Sequence, residues 1–296
     1  MGFQKLEKNK TVKIDPEPIQ LGDRISFKYD SKGVLYQKYG WSIPEKTGTW
    51  IVKKKASLKI PVHHIEKDFL IDFLCLSPFD RQIVFVAVNG YPLGYMDVSS
   101  RFEENKILVP KKYIKNNEIN LELSLQRLKG QDESSKDNRK LGLHVDKISF
   151  MELSDKDYLQ KIKFNSGSNT NYFQSLGWSM PEEKGNWTNG KNAGLHIPIK
   201  KPDRDLVFRI KIAALFKPQH VDFHINEKKN VSMLINKIGT YSFKIEKQLI
   251  DSSPSVLDID MDIPDADFFN KKNNDQRELG IFVEEIDINE SGELEK

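Results

Sequence analysis

The chain has 296 residues, 38% hydrophobic and 30% charged, a length that suits two globular domains each burying its own core. The formal net charge of +3 divides into +7 over residues 1–150 and −4 over residues 151–296, and apart from Lys53-Lys54-Lys55 the basic side chains are scattered rather than interleaved with aromatics, which argues against nucleic acid as a partner. A single cysteine, Cys75, excludes an intramolecular disulfide, no run approaches about 18 uninterrupted apolar residues, and Met1 is not followed by an apolar signal core, so a cytoplasmic chain with no membrane insertion is expected.

In chain order, residues 1–21 read as a charged tail. Short runs of period two follow, as in Ser57–Val62, where one face is buried and the other wet. His63 and His64 are adjacent, so in a strand they point to opposite faces and cannot chelate one ion. Phe69–Leu76 is an apolar run, interrupted by Asp72, that includes Cys75. Ile83–Val88 ends in Asn89-Gly90, whose tolerance of positive φ predicts a type I′ hairpin. Lys111–Asn116 predicts about one turn of helix, Ile119–Leu125 another strand, and Ser154–Asp157 a polar junction, with a short helix over Asp155–Lys161. Beyond it, Leu206–Ile212, Val221–Ile225 and Leu257–Ile263 alternate again. Asp258, Asp260 and Asp262 share one face of the last run, read as solvated, and residues 290–296 form a second charged tail.

All four tryptophans lie in two copies of one motif, Gly40-Trp41-Ser42-Ile43-Pro44-Glu45-Lys46-Thr47-Gly48-Thr49-Trp50 and Gly177-Trp178-Ser179-Met180-Pro181-Glu182-Glu183-Lys184-Gly185-Asn186-Trp187. The register continues outside it: Ile25 and Phe27 match Ile162 and Phe164, Gln82 matches Gln219, and Asn89 matches Asn226, all at an offset of 137. One residue later, Asp137, Arg139, Leu141 and Gly142 match Asp275, Arg277, Leu279 and Gly280. A period of this length describes two whole domains. The expected architecture is all-β: two tandem β-sandwich, jelly-roll-like domains over 22–154 and 155–289, related by internal duplication, each with seven or eight strands.

Trp41, Trp50, Trp178 and Trp187 are the candidates for a binding surface, because a flat aromatic face stacks on the C–H face of a sugar while polar neighbours bond its hydroxyls. Glu45, Gln82, Asn89 and Arg139, with Glu182, Gln219, Asn226 and Arg277, supply the donors and acceptors. The competing reading is structural and is favoured: tryptophans buried under a loop, with a Glu45–Arg139 ion pair pinning two loops together. Phosphate loops, nucleophile elbows and paired-cysteine metal sites are missing from the sequence, and no cofactor or metal is implied. Glu45 with Asp137 could form a glycosidase pair only if the two carboxyls lay about 5–10 Å apart across a sugar.

The string Gly-Trp-Ser-x-Pro-Glu-x-x-Gly-x-Trp, the strand Gln82–Gly90 and the segment Asp137–Leu143 resemble small β-rich accessory domains appended to bacterial glycosyltransferases and other cell-surface polysaccharide biosynthesis proteins. The second copy departs from the pattern with Glu227 in place of the turn glycine and Ile281 in place of Leu143. The resemblance implies a non-catalytic carbohydrate-binding module pair whose partner is a glycan or a glycosyltransferase-type protein. The alternatives are a protein–protein scaffold in which the tryptophan motifs only stabilise each fold, and a glycan-processing hydrolase.

Overall fold

The computed structural model describes residues 14–130, 139–158, 161–166, 168, 173–251, 256–268 and 277–292. Its first half contains β1 (Arg24–Ser26), β2 (Gln37–Tyr39), β3 (Thr49–Ile51), β4 (Lys55–Pro61), β5 (Phe69–Leu76), β6 (Arg81–Val88), β7 (Tyr91–Ser99), β8 (Glu103–Val109), β9 (Glu118–Leu125) and β10 (Leu143–Glu152). One sheet runs β1-β10-β5-β8, with β3 also on β10, and the other runs β2-β4-β9-β6-β7. The pairings are antiparallel, so alternate side chains of both sheets meet in a single core. That core holds Phe27, Ile51, Leu58, Phe73, Val86, Leu121 and Phe150.

The second half contains β11 (Lys161–Lys163), β12 (Asn186–Asn189), β13 (Asn192–Pro198), β14 (Leu206–Ala214), β15 (Gln219–Ile225), β16 (Lys229–Ile235), β17 (Gly239–Ile245), α1 (Lys247–Asp251), β18 (Val256–Asp262), β19 (Asp267–Phe268) and β20 (Glu278–Glu290). Its sheets run β11-β20-β14-β17, with β12 and β19 on β20, and β13-β18-β15-β16. The strand order of the first half therefore recurs, β20 standing where β10 stood. Phe164, Phe208, Phe223, Ile259 and Ile286 fill this second core.

The alternating runs become strands with the expected faces. Lys55–Pro61 buries Ala56, Leu58 and Ile60 and leaves Lys55 and Lys59 wet. The apolar run of β5, interrupted by Asp72, has a different cause. Phe69, Ile71, Phe73 and Cys75 face the first core, while Leu70 on the opposite face packs with Leu108 and with Val256 of the second half. Both faces of that end of the strand are thus covered, and apolar residues are required on both. Burial in these surroundings pushes the Cys75 thiol far above its ordinary pKa.

Asn89 and Gly90 take φ of 51° and 82° at the β6–β7 hairpin. The second half makes the same turn with Asn226 and Glu227, at φ 48° and 59°, so the missing glycine does not prevent it. Several sequence expectations are corrected. Residue Ile19 is not part of a tail, because it bridges to Val62 and is buried. At the other end Glu290 belongs to β20 rather than to a tail. The helix expected over Asp155–Lys161 is a 3-10 turn of Asp155–Asp157 closed by Ser154, whereas the single turn expected over Lys111–Asn116 is present as a 3-10 turn of Lys111–Tyr113. On the Asp258 face Asp260 is exposed and Asp262 half-buried, but Asp258 itself is not solvated: it is buried, 2.7 Å from His196 Nδ1, and receives Lys112 from the first half. These partners hold its carboxyl below the usual range against the opposing effect of burial. Among the described residues each half has ten strands, several of only two to four residues, and these short pieces carry too few alternations to register as strands in the sequence.

Candidate functional site

Each tryptophan motif is a loop leading into β3 or β12, closed by the same backbone bonds in both halves. Glu45 N–H donates to Gly48 O at 2.6 Å and Glu182 N–H to Gly185 O at 2.7 Å. Ser42 N–H donates to Trp50 O, Ser179 N–H to Trp187 O, Val52 N–H to Gly40 O, and Asn189 N–H to Gly177 O. The first tryptophan of each loop is a pillar. Trp41 stacks on Phe27 with centroids 5.3 Å apart and planes 3° from parallel, and its Nε1 donates to Ser57 O at 3.0 Å. Trp178 stacks on Phe164 at 4.9 Å and donates to Gly194 O at 2.8 Å. One ring face and the indole N–H of each are used within the fold.

The second tryptophan of each loop is placed differently. In β3, Thr49 and Ile51 are buried and Trp50 between them is half-buried, so period two turns Trp50 onto the outer face of the sheet. There it meets His144 of β10 edge-on, with centroids 4.7 Å apart, and His144 in turn meets Phe102 at 5.4 Å. Trp187 repeats the placement against Phe282 at 5.1 Å. Beside each lies an ion pair across two loops: Arg139 Nη1 to Glu45 Oε1 at 2.7 Å, and Arg277 Nη1 to Glu182 Oε1 at 3.1 Å, all four side chains partly exposed. Burial pushes the His144 imidazole below its ordinary pKa; Glu45 and Asp146 act in the opposite sense and Arg139 with the burial. Its Nδ1 is buried with no hydrogen-bond partner.

The four amides stand apart from this arrangement. Gln82 is buried, with Nε2 donating to Gly142 O at 2.7 Å and Oε1 accepting from Arg127 N–H at 3.2 Å. Gln219 is also buried, and neither its Nε2 nor its Oε1 has a partner. Asn89 donates to Tyr113 O and Glu118 O and accepts from Asn120 N–H. Asn226 donates to Leu249 O and accepts from Asp258 N–H. Both asparagines thus tie a hairpin turn to a neighbouring segment, and none of the four amides converges on the tryptophans. Asp137 and Asp275 lie outside the described residues, as does any pairing of Glu45 with Asp137. Among the described residues no group of three or more His, Cys, Asp or Glu side chains could hold a metal ion, and no helix is long and apolar enough to cross a membrane.

Sequence reasoning missed the residues that close off the second motif. β7 lies along the segment leading to it, and a Cβ on Gly94, at φ +108°, would collide with the Gln174 carbonyl oxygen. Next to it, the Tyr95 hydroxyl reaches Gln174 Oε1 and Ser179 O, each at 3.2 Å. Gln174 Oε1 also accepts from Asn186 Nδ2 at 3.2 Å, and Ser179 Oγ donates to Asn186 Oδ1 at 2.9 Å. Burial pushes the Tyr95 phenol far above its ordinary pKa, so it serves as a neutral donor. Tyr95 and Ile83 are counted with the second core although they belong to β7 and β6. The available signal was Gly94 in an otherwise regular strand, which marks a close backbone approach.

No family model matches this sequence, and no curated protein matches it. Solved structures that resemble the fold include one described as the triple jelly roll fold and turret assembly of an archaeal virus. It is 12% identical, with a TM-score of 0.42, over 93% of this chain and 67% of that one. The tandem CBM22 domain of a Paenibacillus barcinonensis protein is 12% identical, with a TM-score of 0.30, over 93% of this chain and 100% of that one. A cycloalternan-forming enzyme of Listeria monocytogenes in complex with a pentasaccharide is 9% identical, with a TM-score of 0.25, over 82% of this chain and 20% of that one.

Proposed function

We propose that the chain is a non-catalytic glycan-binding pair of β-sandwiches, serving as an accessory module in bacterial cell-surface polysaccharide assembly or glycosyl transfer. The observation that carries this reading is the outward placement of Trp50 and Trp187. Each is a half-buried aromatic ring on an outer sheet face, with a partly exposed Glu–Arg pair on the neighbouring loop. The ring supplies a stacking surface, and the carboxylate and guanidinium supply an acceptor and a fork of donors for hydroxyls around it. Trp41 and Trp178 serve in support, holding each loop on its core. The link to bacterial polysaccharide systems rests on the motif's resemblance to their accessory domains. A glycan array followed by titration calorimetry tests the reading. Trp50→Ala and Trp187→Ala are expected to lose the heat of binding at unchanged fold. A folded wild-type chain that binds none of a broad set of bacterial polysaccharides would overturn it.

A further inference from the structure

The loop positions that the first half covers in the second half are left uncovered in the first half itself. Gln37 corresponds to Gln174: it bridges Leu58 as Gln174 bridges Leu195, at the same offset as the motif. Ser42 corresponds to Ser179, and Trp41 to Trp178. Gln174, Ser179 and Trp178 are 0%, 6% and 7% exposed under β7, whereas Gln37, Ser42 and Trp41 are all half-exposed. At the loop tip, Met180 is 41% exposed and Ile43 is 84% exposed. The Asn186 amide that braces Gln174 Oε1 has no counterpart, because Thr49 turns its hydroxyl to Phe27 O. Gln37 Nε2 is left buried with no partner.

What covers the second loop is an edge strand of another sandwich, bearing glycine followed by tyrosine. The contact between the halves is therefore heterologous, one kind of surface meeting a different kind, and such contacts recur until something stops them. We infer that the exposed notch at Gln37, Trp41 and Ser42 is a protein-docking surface. Its occupant is the edge strand of a partner sandwich that carries Gly-Tyr in the register of Gly94-Tyr95. A second copy of this chain does not qualify. Its own Gly-Tyr edge is used internally, and the corresponding edge of its second half, β16, carries Val231 and Ser232 where β7 has Gly94 and Tyr95. His220 likewise stands where Ile83 packs. Val231 packs against its own core and lacks the positive φ with which Gly94 makes its close approach, and Ser232 cannot span to the glutamine.

This proposal goes beyond the glycan reading, which concerns Trp50 on the outer face of the sheet. The test builds the missing edge into the full chain as His220→Ile/Val231→Gly/Ser232→Tyr, and measures mass by sedimentation velocity. The wild type is expected to remain monomeric. The triple variant is expected to form head-to-tail dimers and longer species that grow with concentration, and adding Gln37→Arg should return it to monomer. Trp50→Ala in the triple variant should leave the association unchanged, which separates this result from the fate of the glycan reading. If the triple variant proves misfolded by circular dichroism, Val231→Gly/Ser232→Tyr answers the same question while keeping His220, whose Nδ1 lies 2.7 Å from Asp265 Oδ2. A folded variant that stays monomeric overturns the inference, as does association that survives Gln37→Arg. Loss of glycan affinity on Gln37→Arg, with the triple variant monomeric, would overturn it also, assigning the notch to a sugar.

Discussion

Replacing Trp178 by alanine separates supporting tryptophans from presented ones. The Trp178 ring is almost wholly buried, stacked on Phe164 at 4.9 Å and bonded to Gly194 O. Burying a ring of about 200 Å² at roughly 25 cal/mol per Å² contributes about 5 kcal/mol. The Gly194 carbonyl keeps its bond from Ser175 N–H at 2.9 Å, so losing the indole donor adds only about 0.5 kcal/mol, while partial collapse of the cavity returns some of the total. A net loss of about 4 kcal/mol is expected, or a fall of roughly 8–16 °C in melting temperature at about 2–4 °C per kcal/mol. Trp50→Ala removes a half-buried ring with a single edge-on contact and should cost about 2 kcal/mol or less. Differential scanning calorimetry of the two variants at equal concentration reads the difference. Equal losses, or a larger one for Trp50, would refute the division of the motif into pillar and platform.

Gly94→Ala places a methyl group against the Gln174 carbonyl at a φ that L-residues rarely adopt, and should cost about 2–3 kcal/mol. Because the strain falls between the sandwiches, small-angle scattering should report a larger radius of gyration; an unchanged radius and melt would contradict the close approach. For His144 the folded pKa lies below the unfolded value, so the unfolded chain binds more protons in mildly acid solution. The stability tied to the neutral ring is full above pH about 6.5 and declines as pH falls toward the folded pKa. His144→Phe, which installs the residue type of Phe282, should therefore reduce the loss of melting temperature between pH 7 and pH 5. An identical loss in variant and wild type would refute the assignment.

Much of the fold was legible because period two and turn chemistry are local. The alternation of Ser57–Val62 and Leu206–Ile212, and the Asn89-Gly90 turn, became the strands and hairpin that those patterns dictate. The Glu45–Arg139 pair was legible as well, since one basic and one acidic residue recur at matched positions in both motifs. What could not be read was the direction of a side chain within a loop. Trp41 and Trp50 are the same residue type nine positions apart, and only the pairing of β3 with β10 sends one inward and the other outward. The amides misled because Gln82 and Asn89 look like ligand groups in a sequence, while their partners are carbonyls and N–H groups far along the chain. The contact between sandwiches was invisible for a related reason. Tyr95 and Ser179 are 84 residues apart, and no period or spacing joins them.

The seam at Tyr95 also makes the two halves unequal as targets of change. Positions 174, 179 and 186 must remain compatible with a strand supplied by the other sandwich. A deep mutational scan should therefore find those sites intolerant and positions 37 and 42 permissive for folding, leaving the first half as the one in which new specificities can arise without loss of assembly.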